Sequence, residues 1–183
     1  TMEALAQIVR SGKALYVGIS NYTGGKMEQA KAILDELHCP FVINQNRYNI
    51  LDRTIEENGL KDAARNNEVG LICFSPLAQG MLSDRYLNGI PDNSRIHTDG
   101  RFLKEETVNE KHAQIVALNE IAKRRGETLS QMALKWILKD GVVASVLIGA
   151  SRPEQILTNL GVLNSPRFSE AELKEIDDIV LRG

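Results

Sequence analysis

Three apolar runs constrain this chain more than anything else in it: ALYVGIS (14–20), FVINQNRY (41–48) and VGLICFSPL (69–77). They begin a little under about 30 residues apart, the length of a strand–helix–strand unit. The segments between them carry helical spacing. After Thr23, a capping residue type, come Met27, Ala30, Ile33, Leu34 and Leu37, and a second helical pattern runs from Thr54 to Asn66. Strands separated by helices pair in parallel through right-handed crossovers. A fourth strand is expected at VVASVLIGAS (142–151). The fold class is therefore α/β with a parallel sheet.

Helices are further expected at 2–11, 109–125 and 129–139. The first places Leu5, Ile8 and Val9 on one face and closes at Gly12; Gly126 and Thr128 punctuate the other two. Ser151-Arg152-Pro153-Glu154 has the form of a capping box opening a helix to about Leu163, and a last helix follows Ser169-Glu170-Ala171-Glu172. Residues 80–108, with Gly80, Gly89, Pro91 and Gly100, show little periodicity and are expected as a long loop, functional or mobile. No linker or low-complexity stretch divides the chain, so residues 1–183 are expected to form one domain.

Composition narrows the function classes. Hydrophobic residues at 43%, charged residues at 25% and a net charge of −2 describe a globular chain with no broad positive field for nucleic acid or anionic membrane. No apolar run reaches the roughly 18–20 residues of a membrane span. The two cysteines, Cys39 and Cys73, form no CxxC pair and flank apolar runs, which reads as reduced core thiols and a cytoplasmic setting. Asn21-Tyr22-Thr23 has the form of a glycosylation sequon and is discounted in that setting.

Each strand ends in groups that an apolar core does not need: Ser20-Asn21, Gln45-Asn46, Ser75-Pro76 and Gly149-Ala150-Ser151. In parallel α/β folds, ligands gather at the C-terminal ends of strands. Alternation places Tyr16, Gly18 and Ser20 on one face with Phe41, Ile43 and Gln45, with Ile72 and Phe74, and with Leu147 and Gly149. That face is expected to be mostly apolar with a polar rim, as inside a TIM-type barrel. Serine, asparagine and glutamine supply both donors and acceptors for an amide, and Phe74 supplies a stacking face. Gly149-Ala150-Ser151 at a helix start leaves backbone N–H groups for an anion. An amide-bearing ring plus phosphate describes a nicotinamide dinucleotide, held here without the GxGxxG loop.

At these residues the chain resembles the aldo-keto reductases. KALYVGISNY (13–22) is similar to their fifth barrel strand, FSPLAQG (74–80) to their seventh, and SVLIGAS (145–151) with Glu154, Gln155 and Asn159 to their eighth strand and its helix. Leu-Ile-Gly-Ala-Ser is similar to the branch that holds bacterial L-glyceraldehyde-3-phosphate reductases and potassium-channel beta subunits. The resemblance implies a TIM (β/α)8 barrel of which this chain supplies about half, strands five to eight. It implies NADP(H) as cofactor. Ser20, Asn21 and Gln45 would hold the carboxamide and Phe74 would stack on the ring, where the family commonly has tyrosine or tryptophan. Ser75, Pro76, Leu77, Gln79 and Gly80 would line the pyrophosphate with Arg85 nearby. Arg95 would fold over the adenosine end, and Gly149, Ser151, Gln155 and Asn159 would meet the ribose phosphate and adenine. Arg95 and the Ser151 helix start favour a 2′-phosphate, hence NADP(H) over NAD(H).

The same resemblance leaves a gap. The family's catalytic Asp, Tyr, Lys and His lie on strands before this chain's first, so no catalytic residue is assigned and the chain alone is expected to reduce no carbonyl. His38, His97 and His112 read as surface or loop residues, and Tyr22 and Tyr48 as lacking a lysine on a neighbouring strand end. The expected partners are a small carbonyl substrate in the full-length enzyme and a complementing N-terminal half or a second copy, because half a barrel leaves two sheet edges. The alternatives are a non-catalytic nucleotide-binding or partner-docking module and a structural half-barrel that self-associates.

Overall fold

Four strands pair in parallel in chain order: β1 (Val17–Ser20), β2 (Phe41–Arg47), β3 (Gly70–Phe74) and β4 (Val143–Val146). The computed structural model describes residues 1–98 and 100–181, without the side chains of Arg95 and Thr98. The chain divides into two compact units. The first comprises Thr1–Tyr48, Asp52–Phe74 and Asp140–Leu147 and holds the whole sheet; the second comprises Asn49–Leu51, Ser75–Lys139 and Ile148–Gly183.

In the first unit the helices are α1 (Met2–Arg10), α2 (Gly24–Glu36), α3 (Thr54–Glu57) and α4 (Leu60–Asn66). Parallel register aligns Ile19, Asn44, Leu71 and Val143 across the sheet. These four are buried, on the face where α2 packs on β2 and α4 on β3. The opposite face carries Gly18, Ser20, Ile43, Gln45, Arg47, Ile72, Phe74 and Ser145, none of them buried. Gly18 lies flat under its neighbour strand: a Cβ there would stand 2.5 Å from Ile43 Cγ2.

All four strands are shorter than expected, and β1 and β4 show why. Ala14–Tyr16 lies outside β1, and Tyr16 is 62% exposed. Among the described residues β1 pairs with β2 alone, which begins at Phe41, so pairing starts at Val17, whose N–H donates to Pro40 O at 2.9 Å. The last ladder bond from the fourth strand segment is Leu147 N–H to Cys73 O at 2.8 Å; beyond it β3 has turned away at Ser75, φ 52°. Residues 148–151 therefore leave the sheet.

The helix expected over 54–66 is two helices. Asn58 and Gly59 break it, with Gly59 in the left-handed region at φ 74° and Asn58 Oδ1 accepting from Leu60 N–H at 3.1 Å. Gly24, at the start of α2, backs onto this break: a Cβ there would lie 2.6 Å from Gly59 O. Of the expected α2 face, Met27, Ala30 and Leu34 are buried, while Ile33 is 44% exposed. Fully burying a Met or Leu side chain is worth about 1.5–3 kcal/mol, so Met27 and Leu34 anchor this helix. On α1 the buried residues are Met2 and Ala6 rather than Leu5, Ile8 and Val9. The helix turns its Met2 and Ala6 side inward, with Leu5 and Val9 half-buried beside it and Ile8 exposed.

The second unit contains two 3-10 turns (Ala78–Gly80 and Asp84–Tyr86), α5 (Arg95–Thr98), α6 (Glu105–Arg124), α7 (Leu129–Ile137), α8 (Pro153–Leu160) with a 3-10 turn over Gly161–Asn164, and α9 (Glu170–Leu181). The expected long loop is thus partly ordered by short turns. Tyr86, fully buried, pairs its hydroxyl with Ser94 Oγ at 2.9 Å. Thr128 and Gln131 form a reciprocal capping box on α7. Ser169 and Glu172 form another on α9, through Ser169 N–H to Glu172 Oε2 at 2.7 Å and Glu172 N–H to Ser169 Oγ at 3.2 Å. At α8 the expected box is shifted by one residue: Arg152 is the N-cap and Gln155 reaches back to its N–H at 3.2 Å.

Where α6 ends, Arg125 is a hub. Its guanidinium donates to Glu127 Oε2 at 2.9 Å, to Glu172 Oε1 at 2.7 Å and to Pro166 O at 2.8 Å, and it stacks 3.9 Å from the Phe168 ring centre. Burial works against the Arg125 charge, but the Glu127 and Glu172 carboxylates raise its pKa on balance. Glu172 is held below the ordinary carboxylate value: partial burial opposes this, and the Ser169 N–H and hydroxyl and the Arg125 charge outweigh it. No helix among the described residues is long and apolar enough to cross a membrane. Cys39 and Cys73 are both buried and unbridged.

Candidate functional site

The open face of the sheet positions the first group of candidate residues. Ser20 and Gln45 are register partners at the C-terminal ends of β1 and β2, and Phe74 ends β3 on the same face. Ser20 Oγ donates to Gln45 O at 3.0 Å, and the Asn21 N–H donates to the same oxygen at 2.9 Å. These bonds fix the backbone where β1 ends. Asn21 then takes φ 60°, a left-handed turn that asparagine tolerates. The side-chain amides of Asn21 and Gln45 make no hydrogen bond to the described residues, so both remain open to a ligand. Phe74 is half-buried and presents its ring on this face. Two free carboxamides beside an aromatic face suit an amide-bearing aromatic ring.

The second group lies in the other unit. Ser75, Ala78 and Gln79 all have positive φ, at 52°, 48° and 61°, and Gly80 follows at 97°. Three non-glycine residues in the left-handed region within five positions cost of order 1 kcal/mol each, and such strain collects where backbone geometry serves a ligand. Gln79 Nε2 donates to Ser75 Oγ at 3.2 Å, and Asn49 Nδ2 donates to Ser75 O at 3.0 Å. Pro76 is buried and Leu77 half-buried. Arg85 is turned to Asn93, donating to its backbone O and, at 2.8 Å, to its Oδ1. Arg95 opens α5, and its side chain lies outside the described atoms.

At α8 the donors expected for an anion are already satisfied from within. Gln155 Oε1 accepts from Ser151 N–H at 2.8 Å, from Ser151 Oγ at 3.2 Å and from Arg152 N–H at 3.2 Å. An anion at this terminus competes with that carboxamide. Gly149 has open space where a Cβ would be, and Asn159 is 8% exposed. The nicotinamide end of the expected cradle thus presents free groups, whereas the α8 end is self-capped.

A polar cluster that the sequence reading missed sits in the first unit. Tyr48, fully buried, donates its hydroxyl to Glu56 Oε1. Lys61 on α4 places Nζ 3.3 Å from the Tyr48 hydroxyl and 5.2 Å from its ring centre, and pairs with Asp140 Oδ2 at 2.5 Å. Tyr48 therefore does have a lysine, carried by a helix rather than a strand end. A tyrosine, a lysine and a carboxylate are the ingredients of a proton donor, but this one is disarmed. Burial first, then the Glu56 hydrogen bond and charge, push the Tyr48 pKa far above its ordinary value. Fully buried, the hydroxyl is also closed to any substrate that would take its proton. Cys73, also buried, is pushed up to about 12 by burial, with the Lys61 charge pulling the other way. His38 and His97 are exposed, and His112 faces Leu87 O at 3.1 Å. No cluster of metal-ligating side chains occurs among the described residues.

Comparison with known proteins places this geometry. The chain is 46% identical, over all of its length, to the L-glyceraldehyde 3-phosphate reductase of Escherichia coli O157:H7, and 47% identical to that of Escherichia coli K12. In both cases it spans 54% of the relative. Among solved structures it resembles a thermostable aldo-keto reductase bound to the inhibitor epalrestat, at 30% identity and a TM-score of 0.69, covering 97% of this chain and 53% of that one. The glycerol dehydrogenase of Gluconobacter oxydans shares the fold at 22% identity and a TM-score of 0.78, covering 99% of this chain and 53% of that one. The four parallel strands with their helices thus correspond to about half of an aldo-keto reductase barrel. The aldo/keto reductase family description matches residues 1–181, and the chain belongs to that family.

Proposed function

We propose that this chain carries nicotinamide-binding residues of an NADP(H)-dependent carbonyl reductase and none of its proton-donating residues. The observation that carries the reading is the pair of unengaged carboxamides, Asn21 and Gln45, at adjacent strand ends with the Phe74 ring on the same face. Bound there, the nicotinamide supplies hydride. Asn21 and Gln45 orient its carboxamide, Ser20 holds the Gln45 backbone in place, and Phe74 packs against one face of the ring. The strained turn at Ser75–Gly80 and the α8 start are the proposed phosphate contacts, the latter requiring Gln155 to yield its cap. The substrate is a small aldehyde or ketone, the compartment is cytoplasmic, and a four-stranded N-terminal half or a second copy completes the barrel.

Hydride addition leaves an alkoxide that needs a positioned acid, worth about 10²–10⁴ in rate. Tyr48, with Lys61 at its hydroxyl, is fully buried and closed to a substrate, which supports a lone chain without turnover. It also supports the second reading, a nucleotide-binding module that does no chemistry. Fluorescence titration with NADPH tests both, with Gln45→Leu as the diagnostic variant. Removing the amide partner is expected to cost about 1–3 kcal/mol of NADPH affinity while leaving 2′,5′-ADP binding unchanged. Equal loss for both ligands makes Gln45 structural and overturns the reading. Assay with a reactive aldehyde then separates the two: turnover on adding an N-terminal half from a relative supports the reductase, and its absence supports the module.

A further inference from the structure

The C-terminal ends of β1, β2 and β3 open into a cavity of about 440 Å³, within the range of small-molecule sites. Arg47 and Asp52 form its charged wall. Asp52 Oδ2 pairs with Arg47 Nε at 2.6 Å, while its Oδ1 accepts from Thr54 N–H at 3.2 Å and from Thr54 Oγ1 at 2.8 Å. The carboxylate is thus held by its own turn and grips the guanidinium by one edge. The two terminal nitrogens of Arg47 make no bond to the described residues. They are a donor fork already oriented before any ligand arrives, and the Arg47 side chain is 62% exposed.

The other polar walls add donors. Asn58 spends its Oδ1 on the Leu60 N–H, so only its NH2 group remains for the cavity, and the Asn21 amide is unengaged. Ile55 and Phe74 supply apolar surface beside them. The geometry points to a binding site for a small organic carboxylate, taken bidentately by Arg47, with its short carbon skeleton against Ile55 and Phe74. A planar carboxylate matches the two parallel N–H bonds of a guanidinium edge. With Asp52 paired to Arg47 the wall carries no net charge, so it compensates the desolvation of one negative charge better than that of a phosphate dianion. The site shares Asn21 and Phe74 with the proposed nicotinamide contacts, so carboxylate and ring exclude one another there; binding of a carboxylate by the chain without cofactor is nonetheless tested apart from that reading.

The test is a titration of the isotope-labelled chain followed by nuclear magnetic resonance at constant ionic strength. The probes are lactate, the neutral analogue 1,2-propanediol, and inorganic phosphate at pH 8. Lactate is expected to shift the Asn21 and Asn58 side-chain amides saturably, binding about tenfold or more tightly than either comparison probe. Arg47→Gln is expected to weaken lactate by about tenfold or more. Asn58→Asp keeps the acceptor that caps Leu60 but puts a negative charge on the cavity lining, so it is expected to abolish the response in a chain with otherwise unchanged peak dispersion. Shifts that fail to saturate, phosphate binding as tightly as lactate, or an undiminished response in Arg47→Gln overturns the proposal.

Discussion

The two faces of the sheet are made by the same strands and have opposite fates. On the covered face, even the polar residues are spent internally: Asn44 Nδ2 donates to Tyr22 O at 3.2 Å, and Asn46 Nδ2 to Asn44 Oδ1 at 2.9 Å. On the open face, the Gln45 side-chain amide and the terminal nitrogens of Arg47 engage nothing among the described residues. The difference separates structural polarity from available polarity. A buried asparagine with its partners made is a fastening, while an accessible amide with none is an invitation.

Core truncation tests that contrast most strongly. Leu71 is fully buried on the covered face, and Leu71→Ala is expected to cost about 2–5 kcal/mol in urea unfolding. Ile72, its neighbour on the open face, is only half-buried, and Ile72→Ala is expected to cost less than about 1 kcal/mol. Similar losses mean that the open face is packed in solution and break the comparison.

A smaller effect is expected at the buried lysine. Lys61→Met removes the ammonium that pairs with Asp140 and Glu56, whose side chains are 29% and 30% exposed, so water compensates in part. The expected loss is about 1–3 kcal/mol. Tyr48→Phe in the same background is expected to add little, because the hydroxyl and the ammonium share one network. Full additivity separates the two groups and removes Tyr48 from the cluster.

The smallest effect is a pH dependence in the second unit. Because the folded-state pKa of Glu172 is depressed, its contribution is present above the ordinary carboxylate value of 4.5 and is lost as pH falls through the lower folded value. Arg125 stays charged throughout that range, so the loss belongs to the carboxylate. Acid unfolding is expected to be less steep in Glu172→Gln than in the parent. Identical acid limbs remove this pair from the account of α9.

The sequence carried the strands and the order of elements because alternation and helical spacing are local signals. It did not carry strand ends, since those depend on where the neighbouring strand begins and turns away, as Pro40 and Ser75 show. Gly59 hid inside a helical pattern, and its break became visible only with Gly24 seated against its carbonyl. The amides at positions 21 and 45 were readable as residue types at strand ends. The Lys61–Asp140 pair was not, because it joins residues 79 apart, a separation that no periodicity encodes.

The placement of a few rare residues has a practical consequence. The chain has one tryptophan, Trp136, buried in α7 of the second unit, whereas both cysteines, Cys39 and Cys73, are buried in the first. Emission from the indole therefore follows the melting of one unit, and the rate of thiol alkylation follows the opening of the other. A single denaturation series read through both signals shows whether the units come apart together or in turn, with no engineered label.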